Sequence, residues 1–179
     1  MSDFEPITEN DFSSHYDDPY HRGACECVTH AAEMVFQLPT PKSSPETGSR
    51  ADPSQTGPDA CGIRFELAID ESRQVAEAWW DGQGCKWCEG FASLLCERLE
   101  NLAEPDALTS TSHLLTSAKA AVADRNEPTS GEASLDRKAA CLAATADAFR
   151  QAWKSPVQDL EDDLADGSQF GGPSLREEC

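Results

Sequence analysis

Basic residues are scarce in this chain. Fourteen Lys and Arg face 33 Asp and Glu, a formal charge of −19. A surface of that sign repels phosphate backbones, so nucleic acid is excluded as a partner. Long apolar runs are also missing. None approaches the roughly 18–20 residues that span a bilayer. Met1 to Asp18 has neither a basic start nor an apolar centre, so no secretory signal is expected. No Ser/His/Asp set, phosphate-binding glycine loop or H-E-x-x-H pattern occurs, which leaves hydrolase and nucleotidase chemistry without a basis. Eight cysteines among 179 residues are too few for a disulfide-stapled miniprotein. The thiols are therefore expected to be reduced, and the protein cytoplasmic. There, neighbouring thiols bind metal or carry sulfur.

What is present is organised around those thiols. Cys61 lies in Asp59-Ala60-Cys61-Gly62, Cys85 in Gly82-Gln83-Gly84-Cys85, and Cys141 in Arg137-Lys138-Ala139-Ala140-Cys141. Cys88 follows Cys85 at C-x-x-C spacing. Each of these segments falls at or near an element boundary, so one fold can bring the four sulfurs to one metal or iron–sulfur site.

The pattern predicts these elements. A short helix spans Thr8–Tyr16 and stops before Pro19. Ala24–Leu38 has no clear period. Pro39–Pro58, with five prolines among Ser, Thr and Gly, reads as a mobile linker. Ile63, Phe65, Leu67 and Ile69 alternate with Arg64, Glu66, Ala68 and Asp70, the two-residue period of a half-buried strand. Asp70-Glu71-Ser72-Arg73 turns the chain, and Gln74–Trp80 returns. Asp81-Gly82-Gln83-Gly84 breaks the strand. A helix then runs from Lys86 to Leu102 with a stripe of Phe91, Leu94, Leu95, Leu99 and Leu102. Cys85 sits at its N-terminus, where free N–H groups and the helix dipole favour a thiolate, and Cys88 is one turn on. Leu108–Ala123 and Leu135–Trp153 are further helices, with Asn126–Ala133 a loop between them. Gln158–Cys179 reads as an acidic disordered tail.

These pieces resemble the NifU/IscU/SufU iron–sulfur cluster scaffolds over residues 12–154. His15-Tyr16-Asp17-Asp18-Pro19-Tyr20-His21-Arg22-Gly23 is similar to the family opening H-Y-x-x-P-x-x-x-G. Ala60-Cys61-Gly62 before a strand, Gly82-Gln83-Gly84-Cys85 before a helix, and Cys141 with Asp147-Ala148 are similar to its three cysteine motifs. The resemblance implies an α+β fold in one domain, 1–154: a small antiparallel sheet of about three strands with helices on one face. Residues 155–179 form the tail. It implies iron–sulfur cluster assembly, with Cys61, Cys85, Cys88 and Cys141 as ligands of iron, a [2Fe–2S] cluster or, in a SufU-like sulfurtransferase, zinc. Cys61 and Cys141 are the candidate persulfide acceptors. The implied partners are a cysteine desulfurase and recipient apo iron–sulfur proteins. A degenerate, metal-holding interaction module is the third reading.

The chain departs from the family at two positions. Ile63 stands where an Asp is usual, and Ala140 where His or Lys is usual. Cys88 replaces a small or hydroxyl residue and offers the missing fourth ligand. A thiolate in place of a carboxylate favours a tightly held metal over an exchangeable one. Other candidates have plainer readings. Cys96 belongs to the core. Cys25 and Cys27, beside His30, are a surface C-x-C, or else a second metal or relay pair. Cys179 is an exposed tail thiol. His15 and His21 pack the opening segment, and His113 is without a ligand partner. Trp79, Trp80 and Trp87 build the core, although Trp87 lies between two candidate ligands and is placed to exclude water.

Overall fold

The computed structural model describes residues 5–37, 60–123 and 132–157. The expected linker, most of the Asn126–Ala133 loop, and the tail with Cys179 lie outside them. Seven elements are seen in chain order. They are α1 (Glu9–Asp17), β1 (His30–Gln37), β2 (Ala60–Ile69), β3 (Val75–Gln83), α2 (Lys86–Leu99), α3 (Glu104–Ala123) and α4 (Glu132–Lys154). The fold is α+β: a three-stranded antiparallel sheet of order β1-β2-β3 with helices on one face. None of the described helices is long and apolar enough to cross a membrane.

The strand alternation of β2 decides which face is covered. Cys61, Ile63, Phe65 and Leu67 are fully buried, whereas Arg64 between them is exposed. Phe65 meets Phe149 of α4 edge to face, with ring centroids 5.5 Å apart. That contact places α4 on the buried face. Helix α2 joins it through Phe91, Leu94, Leu95 and Leu99, all fully buried or nearly so. These helices and the odd-numbered residues of β2 form one continuous core.

Several boundaries differ from the sequence reading. The segment without a clear period contains β1, whose outward Glu33 and Val35 alternate with inward Met34 and Phe36. Strand β3 runs through Gly82 to Gln83 rather than breaking at Asp81. Gly82 adopts φ +144°, and a Cβ there would lie 2.0 Å from the Gly62 carbonyl oxygen. Glycine therefore lets the ladder continue where any side chain would collide. Helix α4 starts at Glu132, inside the expected loop.

The opening segment is tied to the far edge of β3. His21 carbonyl accepts the Trp80 N–H, and Gly23 N–H donates to the Trp80 carbonyl. Its helix α1 begins with a capping box, in which Thr8 and Asp11 satisfy each other's backbone N–H groups. Ser93, fully buried in α2, anchors this segment: its hydroxyl meets His15 Nδ1 at 2.7 Å and accepts the Tyr20 N–H at 2.8 Å.

Candidate metal centre

The four thiols arrive from three elements at one end of the sheet. Cys61 is at the start of β2 and points to the buried face. Cys85 is the N-cap of α2, in extended conformation (φ −81°, ψ 162°). Cys88 is one turn into α2, and Cys141 lies within α4. Their sulfurs all fall within 4.8 Å of one another. Among the described residues, no other His, Cys, Asp and Glu side chains gather into such a group.

Ordinary N-caps use their side chain to accept a helical N–H. Cys85 makes no such bond. Its carbonyl accepts the N–H groups of Cys88 (2.9 Å) and Glu89 (3.1 Å), while its sulfur turns inward. It meets Cys141 Sγ at 3.3 Å and Cys88 Sγ at 3.5 Å. Its own N–H donates to Cys61 Sγ, 3.4 Å away. Gly84 makes this closeness feasible. A Cβ at Gly84 would lie 3.1 Å from Cys88 Cβ and 3.2 Å from Cys61 Sγ. The glycine therefore packs directly over the sulfurs.

Three of the four thiols are buried, and only Cys85 is partly exposed. The shared hydrogen bonds sort their acidities. Cys141 and then Cys88 stabilise the Cys85 thiolate, holding it far below the usual thiol range. Cys88 is pushed up by its bonds to Cys141 and Cys85, and Cys141 by its bond to Cys85. Burial pushes Cys61 up. Of the four, Cys85 is the thiol whose ionised form the surroundings favour, and it sits at the positive end of α2.

The donor set fits a thiophilic ion. Four thiolates around zinc at about 2.3 Å imply tetrahedral sulfur spacings of roughly 3.8 Å. The sulfurs here include contacts of 3.3 and 3.5 Å, and none lies more than 4.8 Å from another. A [2Fe–2S] unit divides its four thiolates between two irons and needs the two pairs further apart. Ile63, two residues beyond Cys61, is fully buried and offers no ligand atom. Ala140 is a partly exposed neighbour of Cys141 and offers none either.

Other sequence candidates lie elsewhere. Cys96 is fully buried in the core of α2. Cys25 is buried on the opposite sheet face, where its N–H donates to Glu66 at 2.8 Å. Cys27 is disulfide-bonded and is not a free thiol. His30 Nδ1 contacts Thr29, 2.9 Å away. His15 and His21 belong to the opening segment, where they contact Ser93 and Glu100. His113 is exposed on α3. Asp147 is exposed and pairs with Arg150 at 2.7 Å. Trp80 is fully buried, but Trp79 is half-exposed and stacks on His21 at 4.6 Å. Trp87 packs edge to face on Phe12 (4.9 Å), with Lys138 Nζ 5.0 Å above its ring.

Sequence reading missed one pair at this site. Glu89, 8% exposed, accepts the Gly84 N–H at 2.9 Å and an Arg22 N–H at 3.2 Å. The C-x-x-C-E order gave no sign of it, because the partner lies 67 residues away.

No family model and no curated protein matches the chain. Solved structures of similar architecture include a hypothetical protein at 16% identity and TM-score 0.48, covering 81% of this chain and 95% of that chain. Another is a putative iron–sulfur cluster assembly scaffold protein for the SUF system from Fervidobacterium islandicum AW-1. It is 10% identical with TM-score 0.46, covering 82% of this chain and 96% of that chain.

Proposed function

We propose that this protein is a thiolate scaffold or carrier of iron–sulfur cluster assembly, receiving iron and sulfur through Cys61, Cys85, Cys88 and Cys141. The observation that carries the metal-binding part of the reading is the convergence of four sulfurs within 4.8 Å from three separate elements. Burial alone does not gather thiols in this core, since Cys96 is equally buried and stands outside the group. The sequence motifs around these cysteines add the assembly role and a cysteine desulfurase as sulfur donor. Sulfur transfer at Cys61 or Cys141 would proceed by attack of the thiolate on the outer sulfur of the donor persulfide. The donor S–S bond breaks, the donor thiolate leaves, and the acceptor becomes a persulfide. Both acceptors are buried, so this step requires the end of the sheet to open. Recipient apoproteins would take the cluster from the same end.

A second reading is a SufU-like sulfur carrier with zinc in the thiolate site. The sulfur separations, none above 4.8 Å, favour a single ion over a two-iron unit. Cys88 also favours a tightly held metal, since a fourth thiolate removes the exchangeable carboxylate position.

Metal analysis and absorbance of protein purified without oxygen test both. About one zinc per chain without visible absorption selects the carrier. Iron, acid-labile sulfide and thiolate-to-iron absorption select the scaffold. Protein that stays metal-free after anaerobic reconstitution with either metal would overturn the metal-binding reading altogether.

A further inference from the structure

We infer that Arg22 and Glu89 are positioning residues that clamp the end of β3 and the Gly84–Cys85 turn over the thiols, and so govern how readily the site opens. The inference deepens the metal-binding reading above and rests on it for its functional meaning.

Glu89 is a carboxylate buried in the first turn of α2, in a chain already carrying −19. Such burial is unfavourable unless the charge is paired and hydrogen-bonded. Both conditions are met, and both partners belong to the loop or to its brace. Glu89 Oε1 accepts from Gly84 N–H and Oε2 from Arg22 Nη1. Arg22 Nη2 donates to the Gly82 carbonyl at 2.9 Å. One guanidinium thus holds the end of β3 directly at Gly82 and the turn indirectly, through Glu89, at Gly84.

Arg22 is itself fixed. Its backbone bridges to Trp80, and its guanidinium lies 5.0 Å over the Trp80 ring. Trp80 is fully buried and donates its indole N–H to the Tyr20 carbonyl at 3.0 Å. The planar fork of Arg suits this double contact, which a lysine cannot reproduce.

The loop so held covers the sulfurs. Gly84 packs on Cys61, and the next N–H donates to Cys61 Sγ. Because Glu89 and Arg22 hold the chain entering α2, the Cys85 side chain is spared the capping role and faces Cys141. Loss of the clamp would free the loop without touching a ligand. Cys61 is the group that this uncovers first.

Alkylation of the reduced, metal-free protein, read at each cysteine by mass spectrometry, tests this. Arg22→Met and Glu89→Gln are expected to raise Cys61 alkylation by at least about tenfold, with Cys96 as protected as before, because local opening costs less than global unfolding. Arg22→Lys should give a smaller rise. Cys61 protection unchanged in both variants would overturn the inference. So would Cys61 and Cys96 rising together, since the pair would then stabilise the whole fold rather than the loop. Cobalt(II) binding by the parent, followed by its thiolate absorption, is a separate arm. A parent that takes no cobalt sinks the metal reading, while the alkylation ratio still decides the clamp.

Discussion

Single atoms decide whether the thiol group can exist. Cys88 has no exposure, and its sulfur is 3.5 Å from Cys85 Sγ. Cys96, on the same helix, is equally buried but stands outside the group. Cys88→Ser is therefore expected to lower bound metal several-fold, and Cys96→Ser to leave it unchanged. Metal assay of the two purified variants decides this; equal content in Cys88→Ser and the parent would return Cys88 to the core. Gly84→Ala tests the covering contact. The added methyl would meet Cys88 and Cys61 at 3.1 and 3.2 Å, so the thiols or the turn must give by a few tenths of an ångström. Overpacking of this kind costs about 1–3 kcal/mol, and metal retention against a chelator should fall with it. At this scale the sequence was legible where glycine and cysteine sat in short motifs. It was silent on Glu89, because nothing local to a C-x-x-C-E segment marks which carboxylate is buried, or against what.

Elements were legible to the extent that their period was clean. The alternation from Ile63 and the stripe from Phe91 are recovered as β2 and α2, although α2 stops at Leu99, three residues before the expected end. Strand β1 was not recovered. Its register pairs Ala31 and Ala32 with Glu66 and Phe65, and two adjacent alanines blur the contrast between its faces. The opening segment is legible as a short helix, α1, and as a motif, but not in its packing. Its physical role is to lie along β3 and carry Arg22 to the loop, with Ser93 as its anchor. His15 reports on that docking. Burial lowers its pKa, against the raising influence of Glu97. A base with a depressed folded pKa contributes stability that is complete above its unfolded value, about 6.5, and is lost as pH falls through the folded value. Chemical denaturation of the parent is therefore expected to show a lower midpoint at pH 5 than at pH 7. His15→Gln, which keeps a bond to Ser93 but cannot charge, should lose less over that interval. An identical loss in both would mean that His15 is not desolvated by docking.

Across the whole molecule, the thiol group is a tie between parts distant in sequence. Cys61, Cys85 and Cys141 join the start of β2, the start of α2 and the middle of α4 at one end of the core. The cysteine motifs anticipate this tie, but its geometry exists only once α4 has docked on the sheet through Phe149 and Phe65. The opposite end of the sheet is held differently. There Gln74 bridges to Ala103, and Val75 and Asn101 share a backbone hydrogen bond. A bound metal should thus stabilise the two ends unequally. Binding at about 100 times the dissociation constant adds roughly 2.7 kcal/mol to global stability, and chelation removes it. The ligands must be ionised, so this increment should grow as pH rises toward the ordinary thiol range, each proton released from Cys61, Cys88 or Cys141 adding to the slope. Hydrogen exchange before and after chelation locates the effect. Loss of protection is expected first in Cys61–Ile63, in the first turn of α2 and around Cys141, while Ile69–Val75 keeps its protection. Uniform loss along the chain would show that the metal acts on the fold as a single unit, and that the thiol end has no independent freedom to open and release what it holds.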